Sequence, residues 1–349
     1  MIYFSYNDLK GVTMVTEKDI IELNLDVEPF VIQGAENRTC FFKQKFDDRY
    51  GVLQFLHFSD VHMRLDCWDR VIEYLNYYKD YISFGLHTGD YCEDSQERYN
   101  DLYGEGLKSE RVVFNCIGNH DTNSVDPETR VRTVTAKDKP HALLFNYTED
   151  WDVKYFDVEY PMSYYKDFPE SNIRMIVLDC YYDIEEQKRQ LADILSDARE
   201  RGLYVITAMH EMTGAIVDSF GVTFNTINDY PALVGKPRTK AYEEAIVDFV
   251  NAGGVHICHL AGHEHHDLFG ITENGILNSI VPCATTWRGW CDGNRVIGTK
   301  TQDCFNIVSI DPNLKLLKLV RVGDNCDHYL REKRVLCFNF ETRTVIYNK

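Results

Sequence analysis

Short apolar runs that end abruptly in polar tips recur along the chain from Val52 onward. They are Val52–Phe58, Ile82–His87, Val112–Ile117, Ile173–Leu178, Leu203–Ala208 and Val255–Leu260, each of strand length and bounded by polar residues. Three segments between them, Trp68–Lys79, Glu185–Arg201 and Ala241–Asn251, place apolar residues three and four positions apart, the period of a helix with one buried face. Gly202 and Gly253 stand just past the last two and act as helix stops. The alternation of strand and helix predicts a sheet flanked by helices, with function gathered where strands end in loops. From Asn306 the texture changes to hairpins, with turns at Asp311-Pro312-Asn313 and near Glu341-Thr342. Residues from about 303 to 349 are therefore expected to extend a sheet of the main domain, 51–349. Residues 1–50 hold mixed apolar patches without a chemical motif and are expected to form an N-terminal arm or strand packed on that domain.

Composition narrows the class. A chain of 349 residues with 44% hydrophobic and 26% charged residues is long enough for a sizeable core and has no bias toward disorder. A formal net charge of -18 repels polyanions, which argues against non-specific nucleic-acid binding and makes any anion site depend on local positive charge. The 11 cysteines include no CxxC pair, and Cys116, Cys180 and Cys258 sit in or beside apolar runs, so reduced, buried thiols in a cytoplasmic protein are expected. The opening MIYFSYNDLKGV has no basic stretch followed by an apolar one, and no apolar run reaches the ~18 residues of a membrane span, so neither export nor membrane insertion is expected.

Chemistry concentrates at five tips: Asp60-Val61-His62, Gly89-Asp90, Gly118-Asn119-His120-Asp121, His210, and Gly262-His263-Glu264-His265. Singly each has a bland reading as a surface pair, a turn or a structural histidine. Together they hold five of the chain's 12 histidines in one order, and that order resembles the calcineurin-like metallophosphoesterase family, whose signature reads DxH, GD, GNH[DE], H, GHxH. The resemblance spans about residues 52–268. It implies an α/β fold, a four-layer α/β/β/α sandwich of two mixed sheets flanked by helices.

The resemblance further implies two divalent transition metal ions, one on Asp60, His62 and His265, the other on Asn119, His210 and His263, with Asp90 bridging both. Physical chemistry agrees, because two dications ~3.5–4 Å apart repel strongly and need a carboxylate between them. Imidazole with a few oxygens suits Mn, Fe, Zn, Co or Ni better than Ca or Mg, and the set contains no thiolate to choose among them. With Asp60, Asp90 and a bridging hydroxide counted against two dications, the site keeps a charge of about +1, enough to receive an anion. In the implied mechanism the bridging hydroxide attacks phosphorus, and His120, with Asp121 holding its ring, stabilises the transition state or protonates the leaving oxygen.

Other members of the family differ at named residues. Protein serine/threonine phosphatases carry GDxVDRG and GNHE, whereas this chain reads Gly89-Asp90-Tyr91-Cys92-Glu93-Asp94 and Gly118-Asn119-His120-Asp121. Purple acid phosphatases place a tyrosine three residues after the bridging Asp, where Glu93 stands here. A small anionic phosphate ester is thus the expected substrate, a phosphodiester slightly ahead of a phosphomonoester or nucleotide. A reading from another class is a catalytically idle phage- or surface-associated binding module on the same fold. Trp287 and Arg288 are weaker candidates for contacting substrate, Arg288 by pairing with phosphate. His57, His87, His256 and His259 lie in or beside apolar runs and read as core or supporting histidines.

Overall fold

The computed structural model describes residues 50–62, 64–91, 109–125, 132–134, 152–158, 162–179, 184–214, 216–217, 223–224, 239–265, 268–284, 303–322 and 335–348. The N-terminal arm expected over 1–50 lies outside these apart from Tyr50, as do Trp287 and Arg288. In chain order the elements are β1 (Leu53–Phe58), α1 (Leu65–Tyr77), β2 (Gly85–His87), β3 (Val113–Asn115), the one-turn α2 (Asn119–Thr122), β4 (Asn123–Val125), β5 (Arg132–Val134), β6 (Lys154–Tyr155), β7 (Tyr164–Phe168) and β8 (Ile173–Val177). They continue with α3 (Ile184–Glu200), β9 (Tyr204–Ala208), β10 (Ile216–Val217), β11 (Thr223–Phe224), α4 (Lys240–Asn251), β12 (Val255–Ala261), β13 (Leu268–Thr272), β14 (Leu277–Ile280), β15 (Phe305–Asp311), β16 (Leu316–Val322), β17 (Val335–Asn339) and β18 (Thr344–Asn348).

Two mixed sheets carry the fold. A 7-stranded sheet runs β18-β17-β16-β15-β1-β2-β3, in which β1, β2 and β3 are parallel and the C-terminal hairpins add antiparallel to β1. A 9-stranded sheet runs β11-β10-β13-β14-β12-β9-β8-β7-β6, with β14, β12, β9 and β8 parallel at its centre. The alternation of side chains along each strand sorts them between two interiors. Met175 and Val177 of β8 and Ile206 and Ala208 of β9 join Phe55, Leu56 and Val308 of the first sheet in one buried cluster. Their neighbours Ile176 and Val205 face the other way, against Leu191, Leu195 and Ala198 of α3 and Tyr242, Ala245 and Phe249 of α4. On the first sheet, Trp68 of α1 lies 5.5 Å from the Phe58 ring and 5.8 Å from His87. The layers are those the sequence predicts.

Arg174 of β8 is fully buried and ties α3 to the second sheet, its guanidinium held by Asp167 (2.6 Å), Asp197 (2.7 Å) and the Ile194 carbonyl (2.8 Å). Burial of that charge is tolerable because every side of the fork is paired. The described cysteines, Cys67, Cys116, Cys258, Cys283, Cys304 and Cys337, are buried and not joined in disulfides. Among the described residues no helix is long and apolar enough to cross a membrane.

Candidate metal centre

The parallel strands of both sheets end on one side, and the five motifs sit at those ends. Asp60 and His62 follow β1, Asp90 follows β2, Asn119 follows β3, His210 follows β9, and His263 and His265 follow β12. This is where open α/β sheets place ligands. Backbone hydrogen bonds lock the tips together: Asp60 N–H to Gly89 O (2.9 Å), His62 N–H to Asp90 O (3.0 Å) and Gly262 N–H to His210 O (3.0 Å). Such close packing explains two glycines. Gly89 has φ +104°, and a side chain on Gly118 would fall 2.1 Å from Asp90 Oδ1.

Asp60, His62, Asp90, His263 and His265 all adopt left-handed backbone, and they are five of the nine non-glycine residues that do so among those described. Each such residue costs roughly 1 kcal/mol or more, and strain gathered at one site marks function better than strain spread over turns. Its effect is to turn the side chains of adjacent motif residues inward together.

The donor atoms form two groups. In the first, His62 Nε2 and His265 Nε2 are 3.1 Å apart, with Asp60 Oδ1 3.3 Å from His265 Nε2 and Asp90 Oδ2 3.9 Å from His62 Nε2. In the second, Asn119 Oδ1 lies 3.1 Å from His210 Nε2 and 2.9 Å from His263 Nδ1, and Asp90 Oδ2 is 3.3 Å from His210 Nε2. Asp90 belongs to both. His210 Nδ1–H donates to the Thr88 carbonyl at 2.7 Å, which turns Nε2 toward the site. His210 Nε2, His263 Nδ1 and Asn119 Oδ1 face one another at about 3 Å, so that one centre, a ring proton or a cation, can be shared among all three. Buried imidazoles, carboxylates and an amide oxygen are the donors that divalent transition metals take, so the residues fit the implied ions.

The remaining predicted residues fall around this centre. His120 lies at its rim, side chain 15% exposed, with Nε2 4.0 Å from Asp90 Oδ2 and its own N–H donating to Asp90 Oδ1 at 2.9 Å. Asp121 Oδ2 accepts the N–H groups of Asp90 and Gly118, both at 2.9 Å, and thereby fixes the backbone that presents Asp90. His57, His87, His256 and His259 are buried behind the tips: His57 meets Thr88 (3.1 Å), and His256 and His259 share the Thr207 hydroxyl (2.9 and 2.8 Å). One residue was not among the sequence candidates. Cys283 clusters with His62 and His265, so a sulfur stands beside a ligand set that the motifs alone make free of thiolate.

Charge couples the donors to one another. Burial alone would raise the carboxyl pKa of Asp90, yet His210, His120 and His62 hold it well below the usual range. Burial likewise opposes protonation of His210, but Asp90 and Asp60 outweigh it and lift its pKa from 6.5 to about 10. His265 is raised well above 6.5 against its burial by Cys283 and Asp60. His62 and His263 are instead pushed down to about 3, chiefly by burial. The neighbouring carboxylates, and the Cys283 thiol beside His265, thus favour a proton on His210 and His265. A raised histidine gives stability that is complete below 6.5 and lost as pH climbs through the folded value; a lowered one takes stability away as pH falls below 6.5. Metal-free protein is therefore expected to melt highest near pH 6.5 and lower on both sides, with the alkaline loss spread toward about pH 10. Divalent metal, which replaces the proton on His210, should lift that alkaline limb in thermal melts run with and without chelator. An alkaline limb that ignores metal would contradict the assignment.

Comparisons with known proteins bear on the family. The model of the calcineurin-like phosphoesterase family matches residues 53–267. A solved dimetal phosphatase from Danio rerio is 11% identical, with a TM-score of 0.52 over 82% of this chain and 99% of that one. A purple acid phosphatase from yellow lupin seeds is 13% identical, with a TM-score of 0.45 over 87% of this chain and 54% of that one. No curated protein matches the sequence.

Proposed function

From the premise that the chain belongs to the calcineurin-like phosphoesterase family, as a metal-dependent phosphoesterase, we propose that it is a dinuclear hydrolase of small phosphate esters, acting on phosphodiesters before monoesters. The observation that carries this reading is the gathering of seven donor residues into two groups that share the Asp90 carboxylate. Asp60, His62 and His265 would hold one cation and Asn119, His210 and His263 the other, with Asp90 common to both. When bound, such cations supply Lewis-acid polarisation of a phosphate oxygen and acidify water toward neutrality.

The chain's own residues do the rest. Asp60 and Asp90 offset two of the four charges that two dications would bring and leave the site net positive but weakly so, which suits the single charge of a diester. No cluster of Arg or Lys adjoins the five motifs to neutralise the second charge of a monoester. His120, whose ring lies at the rim, would give a proton to the departing oxygen as the P–O bond breaks, since an alkoxide leaves poorly unprotonated. Asp121, by accepting the Asp90 and Gly118 amides, ties the tips that follow β2 and β3 together. With Mn²⁺ supplied, bis-(p-nitrophenyl) phosphate is expected to turn over faster than p-nitrophenyl phosphate. Faster hydrolysis of the monoester would reverse the preference in favour of a phosphomonoesterase or nucleotidase.

A further inference from the structure

A sixth parallel strand opens onto the metal centre, and its tip carries sulfur. β14 runs parallel to β12, the strand that delivers His263 and His265. Beyond its end Cys283 bridges to Ser59, the residue before Asp60, and the next amide, Ala284 N–H, donates to Ser59 O at 2.8 Å. Cys304 N–H in turn donates to Ala284 O at 2.9 Å, so the segment is fixed from both sides. The Cys283 side chain is fully buried, and its Sγ and ring nitrogens of His62 and His265 lie within 4.8 Å of one another. Among the described residues no other cysteine joins such a group.

We propose that Cys283 is a further ligand of the cation held by Asp60, His62 and His265, which makes the two halves of the centre chemically unequal. This rests on the dinuclear reading above. A thiolate is softer than any other donor in the set and favours zinc or iron over manganese on its side, while the half built from Asn119, His210 and His263 keeps only nitrogen and oxygen. The thiol proton leaves to solvent as the cation enters. The bound sulfur also lowers the net charge of the site by one, which weakens the attraction for any anion and for a dianionic monoester more than for a singly charged diester.

Spectroscopy on the whole protein tests this without reference to turnover. Metal-free protein reconstituted with Co²⁺ is expected to show a near-ultraviolet sulfur-to-cobalt charge-transfer band, kept in Cys258→Ser and lost in Cys283→Ser and Cys283→Ala at unchanged cobalt content. X-ray absorption of the zinc form should contain a sulfur shell at about 2.3 Å, distinct from nitrogen and oxygen at about 2.0–2.1 Å. Cys283→Ser should surrender zinc to a chelator roughly 10–100-fold more readily, with manganese retention little changed. A parent protein that holds two ions with no sulfur shell, or a charge-transfer band that survives in Cys283→Ser, would overturn the ligand assignment alone. A parent that takes up no divalent metal would overturn the dinuclear reading, and this inference with it. Should neither Cys283 variant fold, the sulfur shell of the parent decides.

Discussion

Asp90→Ala is expected to lower phosphoesterase turnover by roughly 10³-fold or more, because losing several kcal/mol of charge stabilisation corresponds to about tenfold per 1.4 kcal/mol. Its carboxylate is the one group shared by both donor clusters, with Oδ2 3.3 Å from His210 Nε2 and 3.9 Å from His62 Nε2. Without it, two cations would face each other with no charge between them, so bound divalent metal should fall from two ions per chain to one or none. The loss reaches the metal-free protein too. The proton that Asp90 helps hold on His210 up to about pH 10 would come off at lower pH, and the alkaline limb of stability should shrink. Asp90 Oδ1 also accepts the His120 N–H, so alanine risks a local disturbance that Asp90→Asn avoids by keeping an oxygen there. Both variants should behave alike in metal content and activity. Elemental analysis with turnover on the same preparations is the measurement. Two ions and undiminished hydrolysis in a folded Asp90→Asn variant would contradict the bridging role, and near-zero metal in the parent would favour a catalytically idle module.

Much of this site is legible in the sequence because its ligands sit at the ends of apolar runs, where composition changes within one or two residues. Helices α3 and α4 are legible for the same kind of reason, a 3.6-residue period closed by Gly202 and Gly253. The start of α1 is less so: the period suggests Trp68, whereas the helix begins at Leu65 behind Arg64, which makes no side-chain capping bond and leaves no Ser, Thr, Asp or Asn signal. The runs Ile82–His87 and Val112–Ile117 yield only Gly85–His87 and Val113–Asn115, since strand length is set by the neighbour available for pairing. The left-handed backbone at Asp60, His62, Asp90, His263 and His265 is hidden for another reason. Glycine and asparagine are the local signals for that conformation, and tertiary hydrogen bonds impose it here on aspartate and histidine.

Cys283 is the instructive omission. Its run, ILNSIVPC, has the same apolar-to-polar form as the others. What makes it a strand tip at the centre is that β14 lies beside β12 and that Cys283 bridges to Ser59, more than two hundred residues earlier in the chain. Motif order supplies the ligands a family shares. It says nothing of a residue that lies outside those motifs.

His120→Gln is expected to lower kcat by roughly 10²–10⁴-fold on a diester with an alkyl leaving group while leaving two metal ions in place. The separation of effects follows from position, because His120 lies at the rim, with Nε2 4.0 Å from Asp90 Oδ2. A proton donor matters in proportion to how badly the departing oxygen needs the proton. An alkoxide needs it nearly in full, whereas p-nitrophenolate is stable enough to leave without it, so on bis-(p-nitrophenyl) phosphate the same variant should lose about tenfold or less. The two substrates compared in parent and variant, with metal content measured alongside, distinguish an acid from a group that merely contributes charge. A charge stabilising the phosphoryl oxygens acts on either substrate equally. Equal losses on alkyl and aryl esters would therefore remove His120 from the role of acid and leave it as an electrostatic contact beside Asp90.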